Sequence, residues 1–146
     1  MRARPQLWIT AFLIAFVLNL LWENLHAILY AHYRGGPITE PLLVFMSIKD
    51  AVLILILIAA IKVIPNAAKY PWLIFLCGIV TSVVIESHAL ATGRWAYTQA
   101  MPLIPYLGTG LSPTVQLGLL GYISYRATIG RSMQSDHENR FRQNML

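Results

Sequence analysis

The sequence predicts an all-α, polytopic membrane protein: a four-helix transmembrane bundle with an outer re-entrant or interfacial loop. Three observations carry that expectation. Hydrophobic residues make up 57% of the chain and charged residues 12%, against roughly 45–50% apolar and about 25% charged in soluble domains. The apolar residues fall in blocks separated by Pro, Gly and charge. Three of the six acidic residues, Glu23, Asp50 and Glu86, lie inside those blocks. An ionisable group there is costly unless it faces protein, a partner or water, so such a residue points to a functional site.

At 146 residues the chain is read as one membrane domain. The first apolar run, Leu7–Tyr30, follows Pro5, with Arg2 and Arg4 outside it. A basic start before an apolar stretch imitates a signal peptide. However, no small-x-small cleavage site follows, and Trp22, Glu23 and His26 stand in its place, so a retained helix is expected. The second run, Pro41–Ile64, has Pro41 at the first helical position and Pro65 as its stop. The third, Pro71–Thr92, ends before Gly93, which suits a left-handed cap. Each of the three has 22–24 residues, enough for a hydrocarbon core of about 30 Å. The fourth, Pro113–Ile129, starts from a Ser112 N-cap and closes at Gly130. At about 1.5 Å per residue it spans only about 25 Å.

Residues 93–112 form the expected outer loop. Within it Met101–Leu111 is apolar but broken by Pro102, Pro105, Gly108 and Gly110. Such backbone is expected to dip into the membrane edge, where it must be buried in protein or line a wet cavity. The tail 132–146 is polar and mixed in charge.

Charge sets the direction. Arg2, Arg4, Lys62, Lys69, Arg126, Arg131, Arg140 and Arg142 fall on one side, and only Arg34 and Arg94 on the other. The positive-inside rule therefore places both termini in the cytoplasm and the protein in the cell (inner) membrane. The net charge of +5 belongs to these flanks. No basic ribbon interleaved with aromatics appears, so no nucleic-acid partner is expected. The single cysteine, Cys77, allows no internal disulfide or CxxC pair and is expected to be a small buried hydrophobe.

Helix direction brings the polar groups together. Glu23 and Glu86 fall roughly 6–8 Å below the outer face, and Asp50 roughly 14 Å below it. Gln116 enters from the same side, one turn into helix four, as a helix-bridging hydrogen-bond group. Phe12, Phe16, Asn19, Glu23, His26 and Tyr30 form one helix stripe, and Ser82, Glu86, Ala89 and Gly93 another. His88 lies about 200° from Glu86 on the wheel, so the two point apart. The plainer roles are a solvated His32, a self-neutralising Lys49–Asp50 pair, and Arg94 as topology charge or ion-pair partner of Glu86. Trp22, Trp72 and Trp95 would be interface-belt residues.

Three chemistries fit. In an apolar cavity carboxyl and imidazole groups move toward neutrality, where proton transfer is most effective. That suits a double-bond shift, cyclisation or hydration of an apolar molecule, with Trp22, Trp95 and Tyr97 stabilising a carbocation. Alternatively, Glu23-Asn24-Leu25-His26 is a Glu-x-x-His metal motif lacking a second copy, and His26 with His88 could hold haem b. The third reading is a small non-catalytic binding or transport protein. The apolar inner half offers no wet path in a single bundle, and a homo-oligomer would have to supply it.

The segment Glu86-x-x-Ala89-x-x-x-Gly93-x-Trp95-x-Tyr97, followed by Pro113, resembles the membrane lycopene-cyclase domains. That family carries an acid, a Gly-x-Trp-x-Tyr turn and then Pro-x-Glu-Glu. Here Pro113-Thr114-Val115-Gln116 has no carboxylate pair, so Glu23 or Asp50 would have to supply the acid. The run from Gly93 through Met101-Pro102 and Gly110-Leu111-Ser112-Pro113 to Gln116 is also similar to small bacterial four-helix membrane proteins, a likeness that brings no function with it. The resulting expectation is an isomerase or cyclase acting on an isoprenoid-like membrane lipid, without a cofactor. Glu23 is its principal acid/base, His26 the proton partner, Glu86 the second acid and Asp50 a further acid. Asn19, Trp22, Arg94, Trp95, Tyr97 and Gln116 contact the substrate.

Overall fold

The computed structural model describes residues 5–64 and 70–130. Four helices dominate it: α1 Pro5–His26, α2 Glu40–Val63, α3 Trp72–Ala91 and α4 Leu111–Tyr125. A π turn, Arg126–Gly130, extends α4. Two short strands, β1 Tyr30–Tyr33 and β2 Trp95–Tyr97, form an antiparallel pair. Three segments are long and apolar enough to cross a membrane: Pro5–Leu29, Glu40–Val63 and Trp72–Ala91. Arg2, Arg4, Pro65, Lys69, Arg131, His137, Arg140 and Arg142, with the rest of the tail 132–146, lie outside the described residues.

The outward faces repeat at helical spacing. Ile9, Leu13, Val17 and Leu21 are exposed along α1, Ile48, Val52 and Ile56 along α2, and Leu76, Val80 and Val84 along α3. Inside, Ala15, Ala51, Ile54, Ile58, Ile74, Leu117 and Leu120 form the core. The short α4 is its centre, with Gly118, Gly121 and Ser124 among its buried residues. Glycine lets α4 approach α3 backbone to backbone: a Cβ on Gly78 would lie 2.4 Å from Gly118 Cα. Small residues at a helix crossing permit that approach.

Several boundaries differ from expectation. α1 ends at His26 rather than Tyr30. Ala27–Leu29 tightens into a 3-10 turn, and Tyr30–Tyr33 runs extended to pair with Trp95–Tyr97. Aromatic residues suit a strand. The turn after β1 closes through Tyr33 N–H to Gly36 O (3.0 Å) and Gly36 N–H to Tyr33 O (2.9 Å). Positive φ at both Arg34 (51°) and Gly35 (77°) gives the primed turn whose twist matches paired strands.

Helix α4 starts at Leu111, after Gly110, with no side-chain cap from Ser112. Pro113 is tolerated in the first turn because the N–H it lacks has no helical partner there. Residues 93–112 are more than a loop. Besides β2 they hold a compact hairpin with Ile104 N–H to Thr109 O (2.8 Å), Leu111 N–H to Pro102 O (2.7 Å) and a Leu103–Gly110 bridge. Cys77 is exposed, not buried, because its neighbour Gly78 takes the inward position against α4.

Candidate functional site

Two polar clusters flank one cavity, the first drawn from α1, α2 and α4 and the second from α3 and the strands. The first is centred on Gln116, which is buried near the start of α4. Its Nε2 donates to Asn19 Oδ1 (3.0 Å), Glu23 Oε1 (2.9 Å) and Asp50 Oδ2 (3.3 Å). One amide nitrogen carries two hydrogens, so three oxygens compete for them. Asn19, wholly buried, anchors its own amide on Ala15 O (2.7 Å). Residues 19, 23, 50 and 116 come from three helices, and the structure brings all four together.

His26 extends this cluster. Its Nδ1 lies 2.6 Å from Trp22 O, and its Nε2 lies 3.8 Å from Glu23 Oε2. A carbonyl can only accept, so Nδ1 is the donor and, in the neutral ring, Nε2 presents its lone pair to Glu23. At that spacing the two are poised but not bonded.

The second cluster is centred on Glu86, which is buried on α3. Tyr30 OH donates to Oε1 (3.3 Å), while Trp95 Nε1 (3.1 Å) and Tyr97 OH donate to Oε2. Tyr97 OH in turn accepts Gly110 N–H (2.9 Å). Trp95 and Tyr97, two apart on β2, thus converge on one carboxylate. Glu86 ties both strands and the start of α4 to α3. Burial and the Glu86 carboxyl push the Tyr97 and Tyr30 phenols above their ordinary range, so both act as neutral donors.

Between the clusters lies a cavity of about 100 Å³. Glu23, Asp50, Glu86, Gln116 and Lys49 line it among mostly apolar neighbours, including Leu42, Leu43, Met46, Leu53 and Ile85. Tyr30, Tyr33 and Trp95 form its aromatic side, with Tyr30 and Trp95 edge to face at 6.1 Å.

Of the residues expected from sequence, Glu23, Asp50, Glu86, Trp95 and Gln116 reach the cavity wall, while Asn19, Trp22, His26, Arg94 and Tyr97 stand behind it. Trp22 is half-buried and packs on the core, and its buried indole Nε1 has no partner among the described residues. Arg94 makes no ion pair with Glu86; its backbone joins the strand ends, N–H to Ala89 O (2.8 Å) and O from Arg34 N–H (2.6 Å). Lys49 and Asp50 do not form an ion pair, and Lys49 Nζ instead rests on Met46 Sδ at 3.6 Å. His32 is half-buried in the cavity wall rather than solvated, and its Nδ1 accepts Gly35 N–H (3.1 Å). His88 is exposed and His26 buried, so they share no pocket. Among the described residues no group of three or more His, Cys, Asp or Glu is placed to hold a metal.

Sequence reasoning missed Tyr33, His32 and Lys49 as lining residues. The signal for the first two was present in Tyr30-Ala31-His32-Tyr33 before Gly35-Gly36, and in Trp95-Ala96-Tyr97 after Gly93: aromatic runs bounded by glycine, the mark of short strands. No family model, curated protein or solved structure matches the chain.

Proposed function

We propose that this chain is a four-helix transmembrane protein of the cell membrane, with cytoplasmic termini, that moves a proton on an apolar, isoprenoid-like molecule drawn from the bilayer. The observation that carries this reading is the pairing of Glu23 and Asp50 on Gln116 at the wall of a mostly apolar cavity. Two carboxyls beside one amide can hold and exchange a proton without water, and the apolar lining suits a hydrocarbon skeleton.

Glu23 is the principal acid/base. It delivers a proton to one carbon of a double bond, and Glu23 or Asp50 removes one from a neighbouring carbon, so the bond shifts with no net change in atoms. Charge developing between the two steps faces the rings of Tyr30, Tyr33 and Trp95. His26 Nε2, aimed at Glu23 Oε2, resets the protonation of Glu23. Glu86, saturated by three donors, holds the aromatic wall in place rather than exchanging protons.

The test is Glu23→Gln in a host that makes the protein natively, with extracted lipids and pigments profiled against wild type. Loss of one species with accumulation of its isomer or acyclic precursor is expected, with the variant folded and present at wild-type level. An identical profile refutes catalysis and leaves a non-catalytic binding protein.

A further inference from the structure

Lys49 lines the cavity beside the acids, and its hydrogen-bond partner among the described residues is the thioether of Met46 at 3.6 Å. An ammonium group has three N–H donors and a thioether is a weak acceptor. Among the described residues no carboxylate pairs with it, although Asp50 follows it in sequence. The remaining donors of Lys49 have no oxygen acceptor among the described residues, and the cavity is where a ligand would supply one.

We propose that the cavity takes an oxygenated apolar molecule, specifically an unsaturated ketone, with its carbonyl oxygen accepting a hydrogen bond from Lys49 Nζ. This inference rests on the proton-transfer reading of the same cavity and names its substrate class. For a ketone Glu23 acts first as base, so the developing charge is negative and falls on oxygen rather than on carbon beside the aromatic rings. An anionic head is disfavoured, because Glu23, Asp50 and Glu86 all line the same space and like charges repel at short range in a low dielectric. A neutral carbonyl has two lone pairs and no charge. It also makes the adjacent C–H acidic enough for a carboxylate to remove.

The step then balances. Glu23 carboxylate takes the proton from the carbon next to the carbonyl, and electron density moves onto the oxygen held by Lys49. The same proton returns to the far carbon of the conjugated system as the double bond moves into conjugation. No oxidant, reductant or co-substrate is consumed. Lys49 stabilises the charge that appears on oxygen, as preorganised donors do in enolising sites.

The experiment uses the purified full chain in an ester-free detergent, with β-ionone as the probe ketone and its methylene analogue as the hydrocarbon control. Binding is read from the change in tryptophan fluorescence, with Trp95 in the cavity wall, and the carbonyl from its infrared stretch. The wild type is expected to lower the carbonyl frequency below that in detergent alone, and to bind the ketone about tenfold or more tighter than the hydrocarbon, the gain of a charge-assisted hydrogen bond. Lys49→Met should abolish both effects. Lys62→Met, which removes a cation resting 5.1 Å over the Trp8 ring, should leave them intact. If Lys49→Met does not fold, the wild-type carbonyl frequency alone decides. A ketone that binds with an unshifted carbonyl overturns this inference while leaving the proton-transfer reading in place. If neither probe binds, both fall.

Discussion

Replacing Gly78 by Ala should destabilise the protein, although the same change on an exposed helix face stabilises it. A Cβ at Gly78 would lie 2.4 Å from Gly118 Cα, 2.5 Å from Gly118 N and 2.9 Å from Leu117 C. Ordinary carbon contacts lie at about 3.5–4.0 Å, so α3 and α4 would have to separate by about 1 Å. All three atoms are backbone, and no rotamer change can relieve them. Overpacking of this kind costs typically about 1–3 kcal/mol, against about 1 kcal/mol returned by the better helix propensity of Ala. The net is a loss of up to about 2 kcal/mol, roughly thirtyfold in the folded-to-unfolded ratio. Gly121→Ala is the control. Its nearest neighbour is the Ile74 Cγ2 methyl at 3.3 Å, with Ile54 Cγ1 at 3.6 Å, and side chains can give way. Unfolding of both variants in detergent, followed by circular dichroism, should rank Gly78→Ala below Gly121→Ala. A Gly78→Ala protein as stable as Gly121→Ala, or more so, would refute the close crossing.

Gln116→Leu removes the donor shared by Asn19, Glu23 and Asp50 and should cost about 1.5–3 kcal/mol, the worth of a hydrogen bond to a charged group. In a Glu23→Gln background the loss should shrink, and equal losses in a double-mutant cycle would show that the bond is not made. Tyr97→Phe leaves the Gly110 N–H without its acceptor, so hydrogen exchange at Gly110 should accelerate, and unchanged protection would count against the bridge. Tyr30 and Tyr97 have phenols raised above the ordinary value of about 10. Their contribution to stability is complete below that pH and is lost as pH rises beyond it, because the folded state keeps protons the unfolded chain has released. Stability measured upward from pH 9 should therefore fall more steeply in wild type than in Tyr97→Phe.

The helices were legible because Pro41, Pro71 and Gly93 punctuate them and their apolar runs have the required length. Their alternating direction sufficed to bring Asn19, Glu23, Asp50 and Gln116 together. The strand pair was not legible in the same way. Tyr30–Tyr33 prolongs the apolar run of α1, and its partner lies some 65 positions away in a register that no local period encodes. That omission led to the wrong partner for Glu86. Charge favours Arg94, but a strand alternates its side chains, and it is Trp95 and Tyr97, two apart, that share the face toward α3. Lys49 and Asp50 line the same cavity yet form no direct ion pair, because Lys49 Nζ turns instead toward Met46 Sδ, one helical turn earlier.

The sheet also decides which wall of the cavity can yield. By joining the end of α1 to the end of α3, it makes those two helices and the strands one braced frame, pinned further by Glu86 to Tyr30, Trp95 and Tyr97. The opening turns of α2 stand outside that brace. Leu42, Met46 and Lys49 face the cavity there, while Val44, Phe45 and Ile48 face outward. A sideways tilt of this segment would open a doorway in the flank of the bundle without disturbing the frame. On the proposed reading, an apolar molecule entering there would meet Lys49 and Asp50 on the moving segment and Glu23 and Glu86 on the fixed frame.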